Sequence, residues 1–353
     1  MQESSAGAVR KANSWPSRCL WKAMSEEGSP EERFHISSHE STNREVGILT
    51  TGSPSPIDDI TRTQNGLFAI SNDAILVSWE FKDDVTRLQN QESLSNTTRL
   101  PSRQLSLTSF GDYVCLGATA DDGLIRVFDT SRPRNPAFSN AIPTNSGSVF
   151  ALVHHRESLV AGMGEGNLGI WRTSDWKQTG LVAVQEYFVL SVEADDEFVY
   201  GGGTDKSISI LDQSNLQSVS SLVGHDASVL CLAVDDEHLY SGSGEIWWGG
   251  PGSPRPPEFE SAIRVWEKGD WTCLALLDGH SDNVNAVCVD KSRIYSVSDD
   301  GTLRVYKKDE WSETDILKIR SARPTSLCQD RSALYIGCSD GAVRWVLKNQ
   351  LNG

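Results

Sequence analysis

Residues 296–306 read SVSDDGTLRVY, and forty residues later 336–346 read IGCSDGAVRWV, with a shared D-G-x-x-R core. Working back along the chain, the same kind of segment recurs as SAIRVWEK (261–268), KSISILDQ (206–213), GNLGIWRT (166–173), GLIRVFDT (123–130) and AILVSWEF (74–81). That makes seven copies. Each alternates β-branched or aliphatic residues with polar or small ones, the pattern of a half-buried strand. The Asp-Gly and Asp-Asp pairs before several copies suit tight hairpins, which need a positive φ or a side-chain-to-backbone bond.

A second strand precedes every copy: GLFAIS (66–71), YVCLGAT (113–119), SLVAGM (158–163), FVYGGG (198–203), HLYSGS (238–243), RIYSVS (293–298) and ALYIGC (333–338). If Phe68, Cys115, Val160, Tyr200, Tyr240, Tyr295 and Tyr335 are equivalent, the spacings are 47, 45, 40, 40, 55 and 40 residues. A third strand lies upstream, as in VLCLAV (229–234) and VNAVCV (284–289), and a fourth begins near a tryptophan, as in WTCLALL (271–277). Four strands in about 40 residues describe one blade of a β-propeller, so the chain is predicted to be all-β, with seven four-stranded antiparallel blades.

LLDGHSDNVNAVCVDKSRIYSVSDDGTLRVY (276–306) resembles a WD-repeat unit, with its Gly-His pair, its turn and an aromatic closing the third strand. LVGHDASVLCLAVDDEHLYSGS (222–243) and SAIRVW (261–266) resemble the two halves of another. The resemblance covers roughly 44–348 and implies a structural tetrad of His, Ser/Thr, Asp and Trp in each blade. Copy six supplies His280, Ser296 and Asp300, with Tyr306 in the Trp place. Copy five supplies His225, Ser241 and Trp266 but no turn Asp, because an insertion replaces that turn. Copy seven keeps Asp340 alone, with Arg320 in the His place. No strand follows 342–347 to complete blade seven, whereas EVGILTTG (45–52) aligns without a gap on the outer strand TCLALLDG (272–279). The N-terminal segment is therefore expected to close the ring on blade seven, leaving 1–43 and 349–353 as tails.

The longest departure from the repeat is 244–260, GEIWWGGPGSPRPPEFE, which adds 15 residues to the hairpin between the second and third strands of blade five. It carries Trp247, Trp248, Arg255 and Phe259, and Arg320 and Arg323 stand near the start of an inner strand on the same upper face. Trp and Arg are enriched at binding hot spots, which makes these six residues a candidate partner-contact patch. The competing reading is that the tryptophans fold back and staple the loop. The lower turns carry Asp195, Asp196, Glu197, Asp235, Asp236, Glu237, Asp175, Asp270, Asp309 and Glu310, and predict a strongly acidic lower face.

The 353 residues carry a formal charge of −16, which argues against a phosphate-backbone partner and so against nucleic acid. No apolar run approaches the roughly 18 residues of a membrane span. The seven cysteines are scattered, with no CxxC pair and no zinc spacing, so neither metal nor cofactor is expected. The N-terminus lacks an apolar signal region, and a reducing, cytoplasmic setting is the better expectation. No nucleophile elbow, phosphate loop or metalloprotease motif occurs. His154 and His155 are adjacent on a strand and point to opposite faces, so they cannot share a metal. Among the inner strands only Asp58, Asp59 and Glu193 offer carboxylates. The expected function is a non-catalytic scaffold or adaptor, itself monomeric, that presents a propeller surface to proteins. The alternative is a propeller enzyme of glycoside hydrolase or lyase type with carboxylates near the channel.

Overall fold

A computed structural model of the chain describes residues 46–80, 95–145, 147–246, 259–319 and 321–352. Every one of them belongs to a single unit of the chain. The expectations for Trp247, Trp248, Arg255, Arg320 and the 1–43 tail lie outside the described residues.

The strands form seven separate four-stranded antiparallel sheets. Six are continuous in sequence, spanning 57–99, 104–143, 149–183, 189–223, 228–277 and 284–318. The seventh combines three strands from 324–347 with the N-terminal strand Gly47–Thr50. The architecture is the seven-bladed propeller. Antiparallel order puts the starts of the inner strands and the turns between second and third strands at one end, here the upper. The remaining two turn classes lie at the lower end.

The N-terminal strand closes blade seven as expected, but one residue out of the expected alignment: Leu49 pairs with Val343 as Leu277, not Leu276, pairs with Ile263 in blade five. Gly47, Ile48, Leu49 and Thr50 pair with Trp345, Arg344, Val343 and Ala342. Thr51 extends the seam by donating its hydroxyl to the Gly341 carbonyl at 2.7 Å. Leu49 is buried in a cluster that also takes Ile57, Leu67 and Trp79 from blade one, so the closing strand ties blade seven to its neighbour. Only glycine fits at its start, because a Cβ on Gly47 would lie 2.0 Å from the Trp345 ring.

Burial follows strand rank. Second strands such as Gly66–Ser71 and Ala333–Cys338 are buried along their whole length, sandwiched between neighbouring blades. Outer strands such as Ala137–Pro143 are mostly exposed. A feature that alternation does not reveal is a β-bulge repeated in all seven blades. The register between inner and second strands shifts at Ile57/Asp59, Gln104/Ser106, Val149/Ala151, Val189/Ser191, Val229/Cys231, Val284/Ala286 and Pro324/Ser326. A bulge bends and twists a strand locally, and here it sits where each inner strand enters the channel from above.

The segment 349–353, expected as a tail, is docked over its described residues. Lys348–Gln350 form a 3-10 turn, Leu351 is buried, and the Asn352 amide donates to Asp315 at 2.7 Å.

Two changes test the closure. Removing residues 1–52 deletes the strand and should abolish soluble folded protein. Gly47→Ala should cost about 1–3 kcal/mol in denaturant unfolding, the usual penalty for overpacking.

Candidate interaction face

The upper face is organised by two histidine networks. In blade five the Trp266 indole N–H donates to Ser241 Oγ at 2.8 Å. The Ser241 hydroxyl donates to His225 Nε2 at 2.6 Å, which leaves the His225 Nδ1–H for the Glu260 carboxylate. The tetrad expected to lack its acid is therefore complete, with Glu260 supplying the carboxylate from the far side of the insertion. A signal for it was present: Glu260 stands four residues before Arg264, as Asp122, Asp300 and Asp340 stand before Arg126, Arg304 and Arg344. Glu260 also pairs with Arg264 at 2.8 Å, as Asp340 pairs with Arg344 at 2.6 Å.

In blade six His280 bridges Asp300 at 2.8 Å and Ser296 at 2.7 Å, as expected. Tyr306 does not complete the set. Its buried hydroxyl has no hydrogen-bond partner among the described residues, so Ser296 lacks the ring N–H that Ser241 receives. Burial alone would raise the Glu260 and Asp300 carboxyls. The hydrogen bond from His225, with Arg264, outweighs it for Glu260, and His280 and Thr302 do so for Asp300, holding both at about 2.

These networks also hold the base of the insertion. On its entry side Glu245 donates its amide to Asn283 Oδ1 of blade six at 2.8 Å, and Asn283 Nδ2 returns a bond to the Glu245 carbonyl at 3.3 Å. On its exit side the Glu260 amide donates to Asp226 at 2.8 Å. Ser243 joins the two sides through its hydroxyl, 3.0 Å from the Glu260 carbonyl. Phe259 lies half-buried just before Glu260. Arg323 exchanges bonds with Ser339 in blade seven, its amide donating to Ser339 Oγ at 2.9 Å and its carbonyl accepting from the Ser339 amide at 2.8 Å. Its charge acts on Asp299, which also accepts from Asn285 at 3.0 Å.

The channel carboxylates do not converge. Asp58 is held by Arg103 at 2.7 and 3.1 Å. Asp59 accepts the amides of Ile60 at 2.8 Å and of Leu107 in blade two at 2.7 Å, and burial pushes it to about 7. Glu193 stands on the inner strand of blade four, where burial pushes it to about 8. His155 turns to Asp196 at 2.8 Å, while His154 stacks on Phe110 with ring centroids 4.0 Å apart. No group of three or more metal-ligating side chains occurs among the described residues.

A model of the WD domain, G-beta repeat, matches residues 271–307. The WD40 β-propeller domain of Doa1 superimposes with a TM-score of 0.70 at 16% identity, covering 85% of this chain and 96% of that one. The chain is a seven-bladed β-propeller with a WD-repeat match across blades five and six.

The propeller is also similar to the crystal structure of the computationally designed Ika8 protein, with a TM-score of 0.63 at 18% identity, covering 84% of this chain and 98% of that one. It is 32% identical over 107 residues to Mitochondrial division protein 1 of Malassezia globosa (strain ATCC MYA-4612 / CBS 7966), which is 28% of this chain and 16% of that protein's length. The matched repeat runs from the outer strand of blade five through three strands of blade six. This is the stagger by which the N-terminal strand closes the ring.

On the lower face, two of the expected acids, Asp195 and Asp235, belong with Asp290 and Asp330 to a repeated clamp. Asp195, Asp235, Asp290 and Asp330 each accept a tyrosine hydroxyl from five residues ahead: Tyr200 at 2.6 Å, Tyr240 at 2.9 Å, Tyr295 at 2.7 Å and Tyr335 at 2.9 Å. A cation from the following blade completes each clamp. Lys268 reaches Asp195 at 2.7 Å, Lys308 reaches Asp235, Lys348 reaches Asp290 at 3.3 Å, and Arg62 approaches Asp330 at 3.7 Å. These aspartates are joints between blades rather than a free acidic surface.

Two titrations check the carboxylates. The depressed Glu260 contributes stability that is present above the ordinary carboxylate range and is lost as pH falls toward about 2. Glu260→Gln should lower stability by about 1–3 kcal/mol at neutral pH and flatten that acid limb in urea unfolding. Glu193 works the other way: its contribution is full below pH 4.5 and is lost as pH rises through about 8. Glu193→Gln should leave the protein more stable than wild type above that pH.

Proposed function

We propose that the protein is a non-catalytic adaptor whose upper face, around the blade-five insertion, contacts a protein partner. The observation that carries this reading is the anchoring of the insertion at both ends, by Asn283 on one side and by the Glu260–His225–Ser241–Trp266 network on the other. A staple needs no such foundation, whereas a presented loop does, because a fixed base reduces the freedom lost on binding. Trp247, Trp248 and Arg255 supply the contact chemistry, with Phe259, Arg320 and Arg323 at its margin. The prolines among residues 251–257 restrict the loop further.

The channel carboxylates favour the same conclusion. Glycoside chemistry uses two carboxylates facing each other across a bond, and here Asp58 and Asp59 are committed to blade two. A net charge of −16 disfavours nucleic acid as the partner. We place the protein in the cytoplasm as a monomeric propeller, a reading that rests on its scattered thiols and closed ring.

The test is the double variant Trp247→Ala/Trp248→Ala, assayed by affinity pull-down and thermal melting together. Loss of partner recovery at an unchanged melting temperature is expected. Unchanged recovery, or melting lowered by many degrees, would make the tryptophans staples and remove the upper face as the contact surface.

A further inference from the structure

The lower face holds a cavity of about 530 Å³ between blades six and seven, lined by Asp290, Lys291, Ser292, Gln329, Asp330, Arg331 and Lys348. Its rim is set by two turns of the same form, Asp290-Lys291-Ser292 and Asp330-Arg331-Ser332, which join inner and second strands in adjacent blades. The aspartate of each turn lines the cavity but is engaged by protein donors. Asp290 accepts Tyr295, the Ser292 and Arg293 amides and Lys348, while Asp330 accepts Tyr335 and the Ser332 and Ala333 amides. The next residue of each turn faces outward and is a cation.

That cation reverses the charge of its equivalents. In blades four and five the same turn position is Asp196 and Asp236. The other lower-face cations are mostly spent on acids: Arg156 on Asp196, Arg172 on Asp175, Lys268 on Asp195, Lys307 on Glu310 and Lys308 on Asp235. Lys291 and Arg331 are exposed, and neither makes a hydrogen bond or ion pair among the described residues. At the cavity wall the Lys348 ammonium, only 9% exposed, donates to Gln329 Oε1 at 2.6 Å and lies 3.3 Å from Asp290, so it offsets that carboxylate and leaves Lys291 and Arg331 as the free cations.

We propose that this cavity binds a phosphoryl group. Cations lining one cavity attract a dianion about twice as strongly as a carboxylate monoanion at equal distance. Arginine and lysine also combine a fork of donors with a point charge, the pair suited to tetrahedral oxyanions. The Ser292 hydroxyl adds a neutral donor at the rim. The group comes either from a phosphorylated residue of a partner polypeptide or from a free phosphate compound. The site is on the face opposite the base of the insertion at Glu245 and Glu260, so it stands or falls independently of the proposed upper-face contact.

The experiment is calorimetric titration of the full chain with inorganic phosphate and, separately, with N-acetyl-phosphoserine methylamide, at ionic strength matched with chloride. Wild type should bind, and Lys291→Glu/Arg331→Glu should bind at least about tenfold more weakly at an unchanged melting temperature. If the charge reversal unfolds the protein, Lys291→Ala/Arg331→Ala takes its place with the same expected loss. Tighter binding of the capped phosphoserine assigns the site to a phosphorylated polypeptide, and equal or weaker binding assigns it to a free phosphate compound. No binding by wild type, or equal binding by wild type and variant, overturns the proposal.

Discussion

The pairing of Gly47–Thr50 with Ala342–Trp345 is the constraint on which the other blades depend. Six blades complete themselves from consecutive sequence, but the seventh keeps a bare third strand until the N-terminal strand pairs with it. An open edge leaves backbone donors and acceptors unpaired and invites pairing with another chain. The same strand buries Leu49 against blade one, so closing the edge also seals the seam between the first and last blades. One short contact thus converts a linear repeat into a closed cycle.

Within that cycle the blades are joined by more than apolar packing. Around blades four to seven, each second-strand tyrosine fixes an aspartate of its own blade, and that aspartate takes a cation from the next. The clamp is half-buried, where hydrogen bonds to a charged group contribute more than at an open surface. Blades one to three carry Phe68, Cys115 and Val160 at the tyrosine position, all fully buried. They replace the polar joint by side-chain packing. The two halves of the ring therefore solve the same contact with different chemistry.

The blade count, the strand order and the closing strand were legible because each rests on local periodicity or on counting strands. Asp58, Asp59 and Glu193 were likewise visible as the exceptions among apolar inner strands. Three features were not. Glu260 was missed because the tetrad was sought within one uninterrupted hairpin, and the insertion moves the acid beyond its usual place. The lower aspartates looked like free charge because their partners are distant: Tyr200 is near Asp195 in sequence, but Lys268 lies a whole blade further on. The repeated bulge leaves no residue signature, since Asp58, Leu105, Phe150 and Asn285 share its position without sharing chemistry.

The distribution of the histidine networks then acquires a reason. They survive in blade five, which carries the insertion, and in blade six, whose Asn283 holds the insertion's entry side. Where the hairpin between second and third strands is short, as at Asp340-Gly341, an acid–arginine pair on the third strand is sufficient to fix the turn. A hairpin lengthened by 15 residues loses that local control, because its two ends no longer constrain each other through a tight turn. The long-range bonds of His225 to Ser241 and Glu260 restore it by tying the exit strand to the loop that precedes the blade. The Glu260 carboxylate serves both His225 and Arg264, His225 on Oε1 and Arg264 on both oxygens. The network is thus structural in its chemistry, and its consequence for function is to hold still the base from which the insertion departs.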